Sequence, residues 1–332
     1  MRNLKQAALA LVASLNTTAC GLTPAATLTT RPVLADQDGY ALQATGAGQA
    51  RSSAGNRWVT EPAQGVRTQF RTFYSKAAGS HVSYHVYVPA AYDPLRRQRF
   101  PVLYWLHGTG AGTSAIPFLA EQVDGAIRAG KLPPMLVVFP NGQDISMWSN
   151  SKDGKTPMET VVVKELVPHI DQTFRTQAQR EGRLIEGMSM GGYGAARLGF
   201  EHARTFGAVS MIAAGPLDLA FQGPKATSNP TLRAGVLSVT FGNDMAYYEQ
   251  LSPWRTAERQ ARGLAGRLKL RVVIGDRDFT LADNEAFHQH LNRLGLWHEY
   301  RLVPGVGHKL DGIVPALGEA YWAFFRGALA GR

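Results

Sequence analysis

At 332 residues the chain is long enough for one large domain with a sizeable core. Its composition, 45% hydrophobic and 18% charged, excludes a disordered or collagen-like polymer. A formal net charge of +10 would suit an anionic partner, but the positives are scattered and the densest cluster, RRQR at 96–99, has no interleaved aromatics. A solvated basic face is therefore expected, with no nucleic-acid partner.

Residues 1–19, MRNLKQAALALVASLNTTA, carry Arg2 and Lys5 ahead of an apolar run from Ala7 to Leu15. That is the layout of an export signal, and the run is too short to span a bilayer. Cys20, the chain's only cysteine, stands where such a signal would be cut. The arrangement resembles a bacterial lipoprotein signal, in which that cysteine is acylated, although Thr17 stands where leucine is usual. The expected location is outside the cytoplasm, either secreted or periplasmic, or held at a membrane by a lipid on Cys20. Residues 20–66 are rich in Thr, Ala, Gly and Ser without a sustained apolar period, and read as a flexible tether. The folded domain is expected over 67–332.

Within that domain, short apolar runs alternate with segments of helical period. The expected strands are VSYHVYV (82–88), VLYWL (102–106), MLVVF (135–139), RLIEG (183–187), GAVSMI (207–212), LRVVI (270–274) and EYRLV (299–303). Helices are expected over 116–129, 158–174, 190–200, 255–265, 281–294 and 315–328. Such alternation predicts an α/β fold with a mostly parallel central sheet covered by helices on both faces. Residues 215–268 fit the alternation least and read as an insertion over one face. In sheets of this kind the chemistry gathers beyond the carboxyl ends of the strands.

Gly187-Met188-Ser189-Met190-Gly191 is a GxSxG pentapeptide between an expected strand and an expected helix. That context makes it a nucleophile elbow, a sharp turn that lifts the serine oxygen above the sheet. A serine hydroxyl needs a base to remove its proton and a third group to orient that base. Downstream, the run LRVVI ends in GDRDF (275–279) and EYRLV ends in PGVGHKL (304–310), which offers Asp278 as the acid and His308 as the base. Asp276 shares the acid's turn and competes with it. HGTG (107–110) follows VLYWL and matches the loop that supplies one oxyanion N–H, with Thr109 the candidate donor and the Met190 N–H the second. Trp148 and Trp254 are candidate walls of a substrate pocket. No metal-ligating, dinucleotide or P-loop signature is present, so no metal or cofactor is expected.

FPVLYWLHGTG, ELVPHIDQTFRT (165–176), EGMSMGGYGA and GDRDF with PGVGH together resemble the esterase D, feruloyl esterase and mycolyltransferase-like family of α/β-hydrolases, over about residues 68–328. The resemblance implies a Ser189–His308–Asp278 triad, with Thr109 and Met190 giving the oxyanion N–H groups. It implies a serine carboxylesterase acting through an acyl-enzyme on a small-molecule or polysaccharide-linked ester. Carbohydrate, feruloyl and acetyl esters are the candidate substrates. Three competing readings share the scaffold: a serine peptidase, an acyltransferase, and a non-catalytic surface binding module.

Overall fold

The computed structural model of the protein describes residues 57–110, 112–221 and 230–330. The export signal expected over 1–19, Cys20 and the tether up to residue 56 lie outside the described residues.

Among the described residues, eight strands form one sheet: β1 (Thr68–Ser75), β2 (Ser80–Tyr87), β3 (Val102–Leu106), β4 (Leu136–Pro140), β5 (Arg183–Met188), β6 (Ala208–Ile212), β7 (Lys269–Gly275) and β8 (Glu299–Val303). Their order across the sheet is β1-β2-β4-β3-β5-β6-β7-β8. β1 and β2 pair antiparallel, β2 meets β4 antiparallel, and every later neighbour is parallel. β3, β4 and β6 are buried along their whole length, as expected for strands covered on both faces.

The helices are α1 (Ile116–Arg128), α2 (Val167–Thr173), α3 (Met190–Glu201), α4 (Pro230–Phe241), α5 (Met245–Leu251), α6 (Pro253–Leu264), α7 (Leu281–Arg293), α8 (Leu310–Leu317) and α9 (Glu319–Ala330). A π-helical stretch, Thr160–Leu166, runs straight into α2. Two cores flank the sheet. Side chains of α1, α8 and α9 pack on one face with Leu103, Leu184 and Val273. On the other face, α2, α3, α6 and α7 pack with Tyr104, Ile185 and Val272.

Three parts of the chain differ from expectation. The ordered body begins before residue 67: Trp58 is buried in the core, its carbonyl accepts the Ser83 N–H at 2.8 Å, and the Ala63 N–H donates to His85 Nε2 at 2.8 Å. A single buried indole outweighs the polar composition around it. The last expected helix is two helices, because Gly318 takes a positive φ of 51° and closes α8. The insertion carries α4 and α5, the second capped by Asp244, whose carboxylate accepts the Ala246 and Tyr247 N–H groups.

One buried ion pair ties the central strands together. Glu186, Ser210 and Arg271 stand side by side on β5, β6 and β7. Arg271 Nη2 lies 3.0 Å from Glu186 Oε1, its Nε donates to Ser210 Oγ at 3.0 Å, and its guanidinium sits over Tyr321, Phe324 and Phe325 of α9. Burial pushes the Glu186 carboxyl up, while Arg271 and hydrogen bonds from Tyr321 and Ser210 act against that. The pair is fully inside, so leaving either partner alone would strand a charge.

Candidate active site

β5 ends at Met188 and α3 begins at Met190, so Ser189 is the single residue of the turn between them. Its backbone has φ 59° and ψ −121°, a region costly for a residue with a Cβ. Three bonds hold it there. The Ser189 N–H donates to the Ile212 carbonyl at 3.0 Å, and the Ser189 carbonyl accepts the N–H groups of Tyr193 at 3.0 Å and Gly215 at 3.1 Å. The turn also requires close approach: a Cβ on Gly191 would stand 1.9 Å from the Leu106 carbonyl oxygen. Glycine at 191 lets α3 start against the end of β3.

β7 ends at Gly275 and is followed by the turn that carries Asp278. His308 follows β8 and precedes α8. His308 Nδ1 and Asp278 Oδ2 are 2.8 Å apart, with the carboxylate side chain 0% exposed and the imidazole 10%. The other carboxylate oxygen, Oδ1, accepts both the Thr280 N–H and the Thr280 hydroxyl, each at 2.8 Å. Asp276 does a different job: its carboxylate is exposed and accepts the Gly305 N–H at 2.7 Å. The two aspartates thus differ in where each points: Asp278 meets His308 and Asp276 meets the Gly305 N–H. Thr280 is a member of the site that spacing alone missed, although a threonine two residues after an aspartate is a recognisable turn signal.

The third component is the loop after β3. Gly108 lies against the serine, where a Cβ on it would stand 3.3 Å from Ser189 Cβ. Thr109 follows directly. His107 is buried and bonded on both sides: its Nε2 accepts the Gly142 N–H at 2.9 Å, which leaves Nδ1 to donate to the Gly108 carbonyl at 2.6 Å. Burial pushes the imidazole pKa down, against the bond to Gly108 and the charge of Asp144, so the ring is the neutral Nδ1–H tautomer that both bonds need. Met190 is the first residue of α3, so its N–H has no carbonyl four residues back within the helix and sits at the positive end of the helix dipole.

Trp148 corrects the expectation of a pocket wall. It is 0% exposed, its indole N–H donates to the His107 carbonyl at 3.2 Å, and its ring packs edge-on against His107 at 5.1 Å. With no open surface it has nothing to offer a substrate, and it braces the loop from below instead. Its place depends on Gly194 of α3, where a Cβ would stand 2.4 Å from the indole Cδ1. The segment beneath the loop is strained at Gln143, Met147 and Trp148, all with positive φ. Trp254 is partly buried: its indole N–H donates to the Leu217 carbonyl at 2.9 Å and its ring packs on Phe287 and His290.

Among the described residues, no group of three or more His, Cys, Asp or Glu side chains is placed to hold a metal ion. No helix among them is long and apolar enough to cross a membrane.

The sequence profile of the family described as "Putative esterase" matches residues 75–332. The chain belongs to this family of ester hydrolases. It is 31% identical over 152 residues to an endo-1,4-beta-xylanase/feruloyl esterase of Xylanibacter ruminicola, a match covering 43% of this chain and 21% of that protein. It is 28% identical over 298 residues to Esterase Rv1288 of Mycobacterium tuberculosis, covering 80% of this chain and 63% of the relative. The chain therefore spans less than two thirds of the length of either protein. A solved ferulic acid esterase superposes with a TM-score of 0.65 at 25% identity, covering 78% of this chain and 97% of that one. That likeness is to an esterase of the α/β-hydrolase fold, the architecture described above.

Proposed function

We propose that the domain is a serine carboxylesterase in which Ser189 is the nucleophile, His308 the base and Asp278 the group that orients it. The observation that carries this reading is the presence of a strained serine turn at the end of β5 and a hydrogen-bonded Asp278–His308 pair, with the carboxylate buried, after β7 and β8. All three follow the carboxyl ends of parallel strands of one sheet, β5, β7 and β8, with β6 between the first two.

The chemistry follows from the bonds. Asp278, held by Thr280, takes the Nδ1–H of His308 and so turns Nε2 toward proton transfer. Ser189 Oγ gives its proton to that nitrogen and attacks the ester carbonyl carbon. The oxyanion that forms is stabilised by the N–H groups of Thr109 and Met190, the second reinforced by the α3 dipole. Collapse returns the proton to the departing alcohol oxygen and leaves an acyl group on Ser189, which water removes by the same proton path in reverse.

For substrates, feruloyl and acetyl esters of carbohydrates are the favoured class. The feruloyl esterase relatives support this. For location, the N-terminal segment supports export with a lipid on Cys20; mass spectrometry of the exported protein would find a diacylglyceryl group there or its absence. Ester turnover tests the central reading: wild type hydrolyses p-nitrophenyl acetate or butyrate, and Ser189→Ala loses at least about 10³-fold in kcat. Equal rates for the two would remove the mechanism.

A further inference from the structure

Phe279 stands directly after Asp278 and is 46% exposed, although phenylalanine is among the residues most often buried. An isolated exposed apolar side chain needs no explanation. Phe279 is different because its ring lies 4.6 Å, centre to centre, from the imidazole of His308, tilted by 41°. One part of an aromatic surface thus rests on His308 while the rest is open.

The direction of proton transfer says which half of an ester meets that open surface. In acylation the Ser189 O–H bond breaks and its proton passes to His308. The Oγ–C bond forms, the bond from the carbonyl carbon to the alcohol oxygen breaks, and the proton leaves on that oxygen as neutral alcohol. His308 must therefore reach the alcohol oxygen, whereas the oxyanion points toward Thr109 and Met190. A ring packed beside His308 borders the alcohol half of the ester.

Resting on the serine esterase reading above, we propose that Phe279 is a specificity residue for the alcohol half, favouring esters whose alcohol presents a ring face, whether an aryl ring or a sugar ring, over esters of short-chain alcohols. An aromatic face gains by contact with another ring or with the C–H face of a sugar, and gains little from an ethyl group.

The test keeps the acyl group fixed. Ethyl acetate, phenyl acetate and a mono-acetylated methyl xyloside all give the same acetyl-enzyme, so differences in kcat/KM among them report acylation alone. Comparing the ratio of ring-bearing to ethyl ester between variants cancels the intrinsic reactivity of each leaving group. In Phe279→Ala both ratios fall by about 3–10-fold, the size of a lost aromatic contact. In Phe279→Tyr, which keeps the ring, they stay within about twofold of wild type. A uniform fall across the three acetates in Phe279→Ala overturns the proposal, because the ring would then serve only to shield or prop His308. A loss of selectivity in Phe279→Tyr equal to that in Phe279→Ala overturns it too. If wild type turned over none of the acetates, the esterase reading would fall with it; turnover by wild type with unchanged ratios removes only the role of Phe279.

Discussion

Asp278 holds His308 with one carboxylate oxygen, at 2.8 Å, while Thr280 holds the other oxygen through both its N–H and its hydroxyl. The carboxylate is therefore fixed in position before any substrate arrives, and the imidazole inherits that fixed orientation. Asp276, two residues earlier, points to the Gly305 N–H instead. Two variants separate them. Asp278→Asn lowers kcat by about 10³–10⁴-fold with little change in fold, because an amide can offer its N–H to His308 and invert the tautomer. Asp276→Asn retains an oxygen for the Gly305 N–H and loses less than about tenfold. Steady-state kinetics on one ester, alongside circular dichroism, checks both.

On the proposed mechanism, Trp148 influences the rate through the loop it supports, since its buried indole N–H donates to the His107 carbonyl. Trp148→Phe keeps a ring against His107 but removes the N–H that donates to the His107 carbonyl. Losing one such bond costs about 0.5–1.5 kcal/mol, and the loop it braces leads into Thr109. The expected outcome is a fall in kcat of about 2–10-fold with KM nearly unchanged. Gly194→Ala, which drives a methyl into the indole, shifts the same loop and lowers kcat and Tm together.

Glu159 clamps α3, the helix that begins directly after Ser189. Its carboxylate meets Arg197 Nη2 at 2.6 Å and His202 Nε2 at 2.7 Å, both on or just beyond α3. Burial acts to raise its pKa, but the hydrogen bond from His202 together with the charge and hydrogen bond of Arg197 overcome that and hold it at about 2, below the ordinary 4.5. A depressed carboxylate stabilises the fold above its unfolded pKa, and the contribution is lost as pH falls from about 4.5 toward 2. At pH 7, Glu159→Gln is destabilised by about 1–3 kcal/mol relative to wild type. Thermal melts taken from pH 7 down to pH 2 show the gap between the two proteins closing across that window.

Much of the architecture was legible because the central parallel strands are covered on both faces, while the largely exposed edge strand β8 is legible from its β-favouring residues alone. VLYWL and EYRLV have the same bounds in sequence and structure, and the other apolar runs shift by one or two residues. β1 was not legible. As an edge strand with TQFRTFYS it shows one face to solvent, so only Phe73 and Ser75 are buried and no apolar run appears. The helices α4 and α5 were hidden because PTLRAGVLSVTF spreads its apolar residues around the helix without a distinct face and α5 is only seven residues long, though Asp244 at the start of α5 is the kind of cap that marks a helix. At the site, chain order after GxSxG pointed to Asp278 and His308, but two aspartates in one turn share a spacing, and only the direction of each side chain separates them. Trp148 shows the opposite limit. A tryptophan in a loop near strand ends reads equally as a pocket wall or as packing, and the close approach of Gly142 and Gly194 makes it packing.

The most direct measurement of the central claim is covalent trapping at the nucleophile. Folded protein is treated with a fluorophosphonate, and the adduct is located by peptide mass spectrometry. A base-activated serine in a strained turn predicts a single stoichiometric adduct on Ser189, absent in Ser189→Ala and formed far more slowly in Asp278→Asn. No adduct on folded wild type, or an adduct at another residue that persists in Ser189→Ala, would contradict the account.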